Sequence, residues 1–319
     1  MKKRTLELKD SAIALLIAFL SSQLFIIIGE LVCSAILATI DYSQTQINNF
    51  FNSATGYLIT SIFQFMAFVL VFIYYSRRTT LKSDCFSNKI NSKQSIIFIV
   101  LGIITSFALT NFINYYCLTL NLFNNPSAIF SYELNSVKNY LISLISLAII
   151  PAIGEELIFR GIIFNSLKKK GTLFAVIVSG LFFTLFHFNL SQLFYPFLFG
   201  ILLGFIFAKT KNIIVPMMIH FFNNALNVSI QYFSGSSIFK PTTLNLIFMI
   251  LGVIIYIGIL AYFFYINYKQ ESSTNNTQEK ENTNKIATKS KNLLNRDNII
   301  FWSIIVFMIF LYIILNMGA

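Results

Sequence analysis

Long apolar runs, separated by short polar segments, dominate this chain. Crossing a bilayer as a helix takes about 20 apolar residues, and nine runs approach or exceed that length. They are continuous rather than alternating, so they predict helices and not the strands of a transmembrane barrel. The runs lie at approximately 12–39, 57–76, 95–116, 139–159, 172–188, 192–208, 213–233, 243–266 and 299–316.

The order of these runs predicts an all-α protein, a polytopic transmembrane bundle with an eight-helix body and a ninth helix appended at the C-terminus. Residues 1–266 would form the bundle, and residues 298–319 the last transmembrane helix. Between them, residues 267–297 are rich in Asn, Thr, Ser, Lys and Glu. Such a composition cannot bury enough apolar surface to order a segment, so 267–297 is predicted to be a flexible cytosolic linker.

Composition and charge support this class. The chain is 56% hydrophobic and only 11% charged, whereas soluble domains carry roughly 25% charged residues. With the N-terminus in the cytosol, nine crossings leave only Lys138 and Lys240 of the 23 Lys and Arg residues outside. Basic residues favour cytosolic loops, so the net charge of +11 indicates topology. We expect a multi-pass cell-membrane protein with its C-terminus outside, a lipid bilayer as partner and no nucleic acid.

Ionisable residues inside the apolar runs mark a candidate site. The chain has only two histidines, His187 and His220, and each lies in an apolar stretch. A third stretch contains Glu155, Glu156 and Arg160. Ionisable groups are costly inside a membrane and usually serve a function there.

The spacing of these residues divides the two glutamates. Glu156 and Arg160 are four residues apart, so on a helix they share a face and can pair. Glu155 points about 100° away from that face, which leaves its carboxylate free. His220 and Asn224 are also four residues apart and share one face of their helix.

These side chains can support two kinds of chemistry. A free carboxylate with a histidine can hold and deprotonate a water molecule, while a second histidine and an asparagine amide can stabilise an oxyanion. One glutamate and two histidines can instead hold zinc or another divalent metal, with Glu155, His187 and His220 as ligands. No HExxH sequence is present, and the metal-free and metal-dependent alternatives both stay open.

Less specific interpretations exist for each feature alone. A Glu–Arg pair is more often a salt bridge at a membrane edge than a catalytic group, and a single histidine can simply bond across helices. The complete set is harder to explain in that way, because its members lie close together in the sequence.

Three short motifs together resemble the CPBP family. This family comprises the CAAX prenyl endoproteases and the bacterial bacteriocin-processing or self-immunity proteins, also called Abi proteins. The resemblance covers roughly residues 140–230, with Pro151 before the first motif and two spaced glycines between the histidines. The motifs are Glu155-Glu156-x-x-x-Arg160, Phe183-x-x-x-His187 and His220-x-x-x-Asn224, and the glycines form Gly200-x-x-x-Gly204.

The resemblance implies an intramembrane endopeptidase with its catalytic core at about 140–230. Its substrate would be a membrane-associated peptide or protein, and its role could lie in bacteriocin maturation or self-immunity. Members are often labelled metalloproteases, although a metal-free mechanism is also argued. Carried over by position, the resemblance implies Glu155 as the base, His187 as the residue that orients the water, His220 and Asn224 as the oxyanion site, and Glu156 with Arg160 as a brace.

Two other function classes compete with this interpretation. A non-catalytic immunity or partner-binding protein could retain the motifs as structural bridges. A small-solute transporter could use the Glu and His residues as a proton relay, although no internal repeat of the kind common in transporters is apparent. Separately, Gly200 and Gly204, together with Ser179 and Gly180, predict close packing between the helices that carry them.

Overall fold

Ten helices make up most of the residues that the structure describes. The computed structural model describes residues 3–81, 85, 92–119, 134–189, 193–234, 243–278 and 296–316. The helices are α1 (Leu8–Thr39), α2 (Gln44–Phe51), α3 (Ala54–Arg78), α4 (Ser92–Thr119), α5 (Val137–Lys170), α6 (Thr172–Phe186), α7 (Phe194–Thr210), α8 (Ile214–Ser234), α9 (Thr243–Gln278) and α10 (Arg296–Asn316).

Each of the nine predicted runs is helical, and the part of the chain that the structure describes contains no strand. Within the described ranges, six helices are long and apolar enough to cross a membrane, namely α1, α3, α4, α5, α9 and α10. The predicted class, an all-α polytopic bundle, is therefore confirmed. Helices α6 and α7 have only 15 and 17 residues. At a rise of about 1.5 Å per residue they fall short of the roughly 30 Å hydrocarbon core.

Helix α5 contains two π-helical segments, one before and one after Glu155 and Glu156. Regular α-helical turns alternate with wider π-helical turns at Leu144–Ile149 and Leu157–Phe164. Pro151 follows the first π segment; it has no N–H for the carbonyl of Leu147, four residues earlier, and in a regular α-helix its ring would clash with that carbonyl. Wider turns relieve this conflict and are frequent at functional sites. The Leu147 carbonyl thus lacks the donor that a regular α-helix would supply.

Phenylalanine side chains fill the core where α5, α6 and α7 meet. The ring of Phe159 packs edge-to-face on Phe183 at a centroid distance of 5.0 Å, and Phe164 packs on Phe207 at 5.2 Å. Edge-to-face contacts of this kind add to the stabilisation from burial. All four rings are almost completely buried, so they form a rigid support for the polar residues beside them.

Small residues bring α6 and α7 into close contact, as their spacing predicts. A Cβ atom added to Gly200 would lie 2.8 Å from the Cα of Gly180, and one added to Gly204 would lie 3.4 Å from the Oγ of Ser179. The backbones therefore approach each other directly at Gly200. Helices in membranes associate largely through such close packing, and the predicted role of these residues in packing is confirmed.

Replacing Gly200 by alanine is expected to destabilise the bundle, because the new methyl group would collide with backbone rather than with a movable side chain. Overpacking of this kind costs about 1–3 kcal/mol, and a lower midpoint of thermal unfolding in detergent would show it. The matched control is Gly258→Ala, because a Cβ there meets no atom within 4 Å. An unchanged midpoint for Gly200→Ala would mean that α6 and α7 do not pack this tightly.

The C-terminal region differs from the sequence prediction in two respects. Helix α9 continues to Gln278, so the segment predicted to be a linker from residue 267 begins as helix, and residues 279–295 lie outside the described residues. Helix α10 is part of the bundle and not an appendage. It packs on α1 and α6 and buries Phe301 and Met308 completely.

Candidate active site

A completely buried ion pair lies at the centre of the site. Nη1 of Arg160 donates to Oε1 of Glu156 at 2.9 Å, and neither side chain is exposed. The second guanidinium nitrogen, Nη2, donates to the carbonyl of Gly200 at 3.0 Å, and the guanidinium lies 5.1 Å from the ring centroid of Phe183. Arg160 thereby joins α5 to α7, and the close approach of α6 and α7 brings that carbonyl within its reach.

His220 lies between the two glutamates. Its Nδ1 is 3.0 Å from Oε1 of Glu156, and its Nε2 is 3.9 Å from Oε2 of Glu155. Glu156 is in an ion pair with Arg160, and a carboxylate only accepts hydrogen bonds, so we assign the proton to Nδ1 of His220. The Nε2 atom then faces Glu155, and α8 is joined to α5 through this ring.

Glu155 has the more open environment of the two glutamates. Its side chain is 13% exposed, whereas that of Glu156 is completely buried. The 3.9 Å contact with His220 is too long for a hydrogen bond, and the described residues place no hydrogen-bond donor on the Glu155 carboxylate. The 100° turn between successive helical residues thus separates a carboxylate fixed by arginine from one that faces the histidine.

The second histidine terminates α6. The backbone N–H of His187 bonds to Thr184, three residues back, in place of Phe183, and the last carbonyls of a helix lack partners within it. The carbonyl of Phe183 accepts instead from Nδ1 of the His187 ring at 2.7 Å. Because a carbonyl only accepts, Nδ1 carries the proton and Nε2 offers a lone pair. The four-residue spacing of this motif is therefore used for a hydrogen bond that orients the imidazole.

Both histidine rings contact Phe183. Ring centroids are 4.9 Å apart for Phe183 and His187, and 5.9 Å apart for Phe183 and His220. Phe199 packs edge-to-face on His220 at 5.3 Å. These apolar contacts fix the planes of the two imidazoles while leaving the Nε2 atom of His187 without a protein hydrogen bond in the described residues.

Asn224 connects α8 to the irregular part of α5. Its Nδ2 donates to the Leu147 carbonyl at 3.1 Å, which is the carbonyl that Pro151 leaves without a donor. Its Oδ1 accepts from Asn223 at 3.3 Å. An amide nitrogen carries two protons, so one N–H of Asn224 is used in fixing α5 and a second is available. Its role as an oxyanion donor stays a prediction.

Sequence analysis missed a polar network beside the site. Asn223 is completely buried; its amide donates to the hydroxyl of Tyr195 at 2.5 Å and its Oδ1 accepts from Thr110 at 3.4 Å. Tyr195 also stacks on Phe199 at 5.4 Å, the ring that touches His220. The adjacent asparagines in an apolar helix were the only available signal, because tyrosines and threonines are common on membrane helices.

The side chains that the structure describes are not arranged as a zinc site. No group of three or more His, Cys, Asp or Glu side chains among them is placed to hold a metal ion. Nδ1 of each histidine is used in a hydrogen bond, which leaves Nε2 as the nitrogen that could bind a metal. As arranged here, however, Glu155, His187 and His220 do not lie close enough together to hold an ion, so this ligand set does not fit a metal in this structure.

The fold and the site define a multi-pass helical membrane protein with a buried glutamate–histidine site where α5 to α8 meet. Residues 137–226 match the family described as Type II CAAX prenyl endopeptidase Rce1-like, which confirms the resemblance that the motifs indicated. All six predicted site residues lie inside this segment. Their individual roles stay predictions.

One curated relative supports the same assignment over part of the chain. It is "Putative membrane peptidase YdiL" from Bacillus subtilis (strain 168), 33% identical over 99 residues. The match covers 31% of this chain and 41% of the relative, so the chain spans less than half the length of that protein. No solved structure matches.

Proposed function

We propose that this protein is an intramembrane endopeptidase that hydrolyses a peptide bond with water activated by Glu155. One observation carries the proposal. Of two adjacent glutamates in the segment that matches a peptidase family, Glu156 is locked by Arg160 and Glu155 faces a histidine from another helix. A structural salt bridge needs only one of these glutamates. A second, open carboxylate beside a histidine suits a general base.

The proposed reaction uses each group for one proton or charge. Glu155 takes a proton from water while the water oxygen attacks the scissile carbonyl, and the lone pair on Nε2 of His187 orients that water. The second N–H of Asn224 stabilises the resulting oxyanion, and Nε2 of His220 does so when its ring carries both protons. As the C–N bond breaks, Glu155 returns its proton to the leaving amine.

The proposed substrate is a membrane-associated peptide or protein segment. The family is described as a CAAX prenyl endopeptidase, and a role in bacteriocin maturation or self-immunity is a further proposal. Purified protein in detergent should be offered quenched peptides of three kinds: a prenylated CAAX peptide, the same peptide without the lipid, and a transmembrane peptide. We expect cleavage at one bond of at least one peptide. If the folded protein cleaves none of a broad panel, the non-catalytic binding class is favoured.

A chelator separates the metal-free and metal-dependent mechanisms. The proposed mechanism predicts unchanged cleavage in 1,10-phenanthroline, because no step needs an ion. Activity that is lost with the chelator and restored by zinc would instead make Glu155, His187 and His220 metal ligands.

Replacing Asn224 by alanine is expected to lower kcat by about 10²–10³-fold, the usual effect of removing one oxyanion donor. Asn227→Ala is the matched control, because Asn227 lies one turn further along α8 and, among the described residues, donates to the carbonyl of Asn223 in its own helix. Steady-state cleavage by both variants checks the prediction. Equal losses would mean that Asn224 acts only through the packing of α8.

We also propose that the N-terminus lies in the cytosol and the C-terminus outside, because that orientation leaves only Lys138 and Lys240 of the basic residues outside. An alkaline phosphatase fused after Ala319 should then be active, since this reporter folds only outside the cytosol. A cytosolic signal from that position would mean that one helix does not cross, and α6 or α7, which are shorter than the hydrocarbon core, would be the first candidate.

A further inference from the structure

The turn after His187 has an unusual backbone. Helix α6 ends at Phe186, and Phe188 adopts a left-handed conformation with φ of 45°. Residues other than glycine, and bulky ones in particular, rarely adopt a positive φ. Such a conformation persists only where surrounding contacts enforce it. The residue that follows a proposed catalytic histidine is therefore held by its neighbours and not by its own preference.

Two helices supply contacts to this turn. The ring of Phe188 packs on Phe19 of α1 at a centroid distance of 4.2 Å and on Tyr312 of α10 at 6.0 Å. The hydroxyl of Tyr312 also donates to the backbone carbonyl of Asn189 at 3.1 Å. Tyr312 thus contacts both residues that follow His187, one through its ring and one through its hydroxyl.

Contacts with α1 and α6 hold the first half of helix α10 in place, and Tyr312 lies further along the same helix. Near the start of the helix, Asp297 forms an ion pair with Lys9 of α1 at 2.8 Å. Further along, the buried ring of Phe301 contacts Phe174 and Phe182 of α6 at 6.4 and 6.0 Å. The helix therefore packs mainly on α1, and it also contacts α6 and the turn that contains His187.

We propose that Tyr312 is a positioning residue for His187, and that the C-terminal helix α10 thereby controls the activity of the site. By holding Phe188 and Asn189, Tyr312 fixes the end of α6. The imidazole of His187 then keeps its hydrogen bond to the Phe183 carbonyl and presents Nε2 to the substrate water. The part concerning activity rests on the proposed function, whereas the effect on the geometry of His187 does not.

The test compares two tyrosine-to-phenylalanine substitutions. Tyr312→Phe removes the bond to Asn189. Tyr256→Phe is the matched control, because Tyr256 is also buried and its hydroxyl donates at 3.0 Å to the carbonyl of Leu198, in the interior of α7. Each substitution removes one hydroxyl that bonds the backbone of another helix, so a general loss of packing would affect both variants alike.

Reaction with diethyl pyrocarbonate gives a readout that does not need activity. This reagent modifies the unprotonated nitrogen of histidine, and the chain has only two histidines, which lie in separate peptides for mass spectrometry. We expect Tyr312→Phe to raise the modification rate of His187 relative to His220 at least about twofold, because loss of one hydrogen bond of this kind loosens the turn. We expect Tyr256→Phe to leave that ratio unchanged.

Kinetics give the second readout. Tyr312→Phe should lower kcat about three- to tenfold with little change in KM, the range that loss of one hydrogen bond produces. The proposal is overturned if Tyr312→Phe keeps the modification ratio and the kcat of the wild type. It is also overturned if Tyr256→Phe changes both quantities as much as Tyr312→Phe does. If the wild type cleaves no substrate, the proposed function fails, and the modification ratios alone decide whether Tyr312 positions His187.

Discussion

Replacing Arg160 by alanine is expected to reduce the yield of folded protein sharply and to abolish activity. The guanidinium is completely buried, donates to Glu156 and also to the carbonyl of Gly200. Its removal leaves the buried Glu156 carboxylate without its positively charged partner, with His220 as the donor that stays, and removes the Nη2 bond to the Gly200 carbonyl. Breaking a buried pair by removing one partner costs about 3–5 kcal/mol, which is a large share of the stability of an ordinary domain.

Folded yield after size-exclusion chromatography and the midpoint of thermal unfolding are the appropriate measurements. Arg78→Ala is the control, because the Arg78 side chain is exposed and its contact in the described structure is with the nearby Tyr74. That variant should retain the wild-type yield. A normal yield for Arg160→Ala, with activity lost, would mean that Arg160 contacts the substrate instead of bracing the helix.

Replacing Glu155 by glutamine is expected to lower kcat by about 10²–10⁴-fold, the usual contribution of a general base. Glutamine keeps the size of the side chain and its packing, but it cannot accept the proton of water. The folded yield should stay normal, because Glu155 is partly exposed and forms no ion pair with Arg160. The contrast with Arg160→Ala therefore separates chemistry from folding in neighbouring residues of one helix.

Two further variants complete that comparison. Glu30→Gln changes the same residue type at a half-buried position in α1 and should leave kcat unchanged. His187→Ala should lower kcat to a similar degree as Glu155→Gln, because both residues are proposed to hold the same water. If His187→Ala retained the wild-type kcat, Glu155 would have to act without it.

Hydropathy predicted the helices well because, in a membrane, each helix satisfies its own backbone hydrogen bonds. It did not predict the winding of α5. In the π-helical turn before Pro151, the carbonyl of Leu147 accepts a hydrogen bond from the amide of Asn224 in another helix. Hydropathy along one segment carries no information on such a contact. Hydropathy also predicted that α9 ends near residue 266, before its observed end at Gln278. Polar residues such as those before Gln278 can continue a helix that an apolar segment has begun.

Spacing along the chain predicted the contacts within one helix and missed those between helices. The Glu156–Arg160 pair follows from a four-residue interval. The contact between His220 and Glu156 joins residues 64 positions apart and depends on how α8 crosses α5. For the same reason the adjacent asparagines of α8 did not by themselves place Asn223 beside the site, and no sequence pattern indicated that Tyr312 reaches the turn after His187.

Cleavage of a substrate peptide in H₂¹⁸O, followed by mass spectrometry, tests the central claim most directly. The wild-type protein should produce one new C-terminus carrying a single ¹⁸O atom, because water supplies the oxygen. Folded Glu155→Gln protein should form this product about 10²–10⁴-fold more slowly. The same labelled product at the wild-type rate from Glu155→Gln would contradict the account.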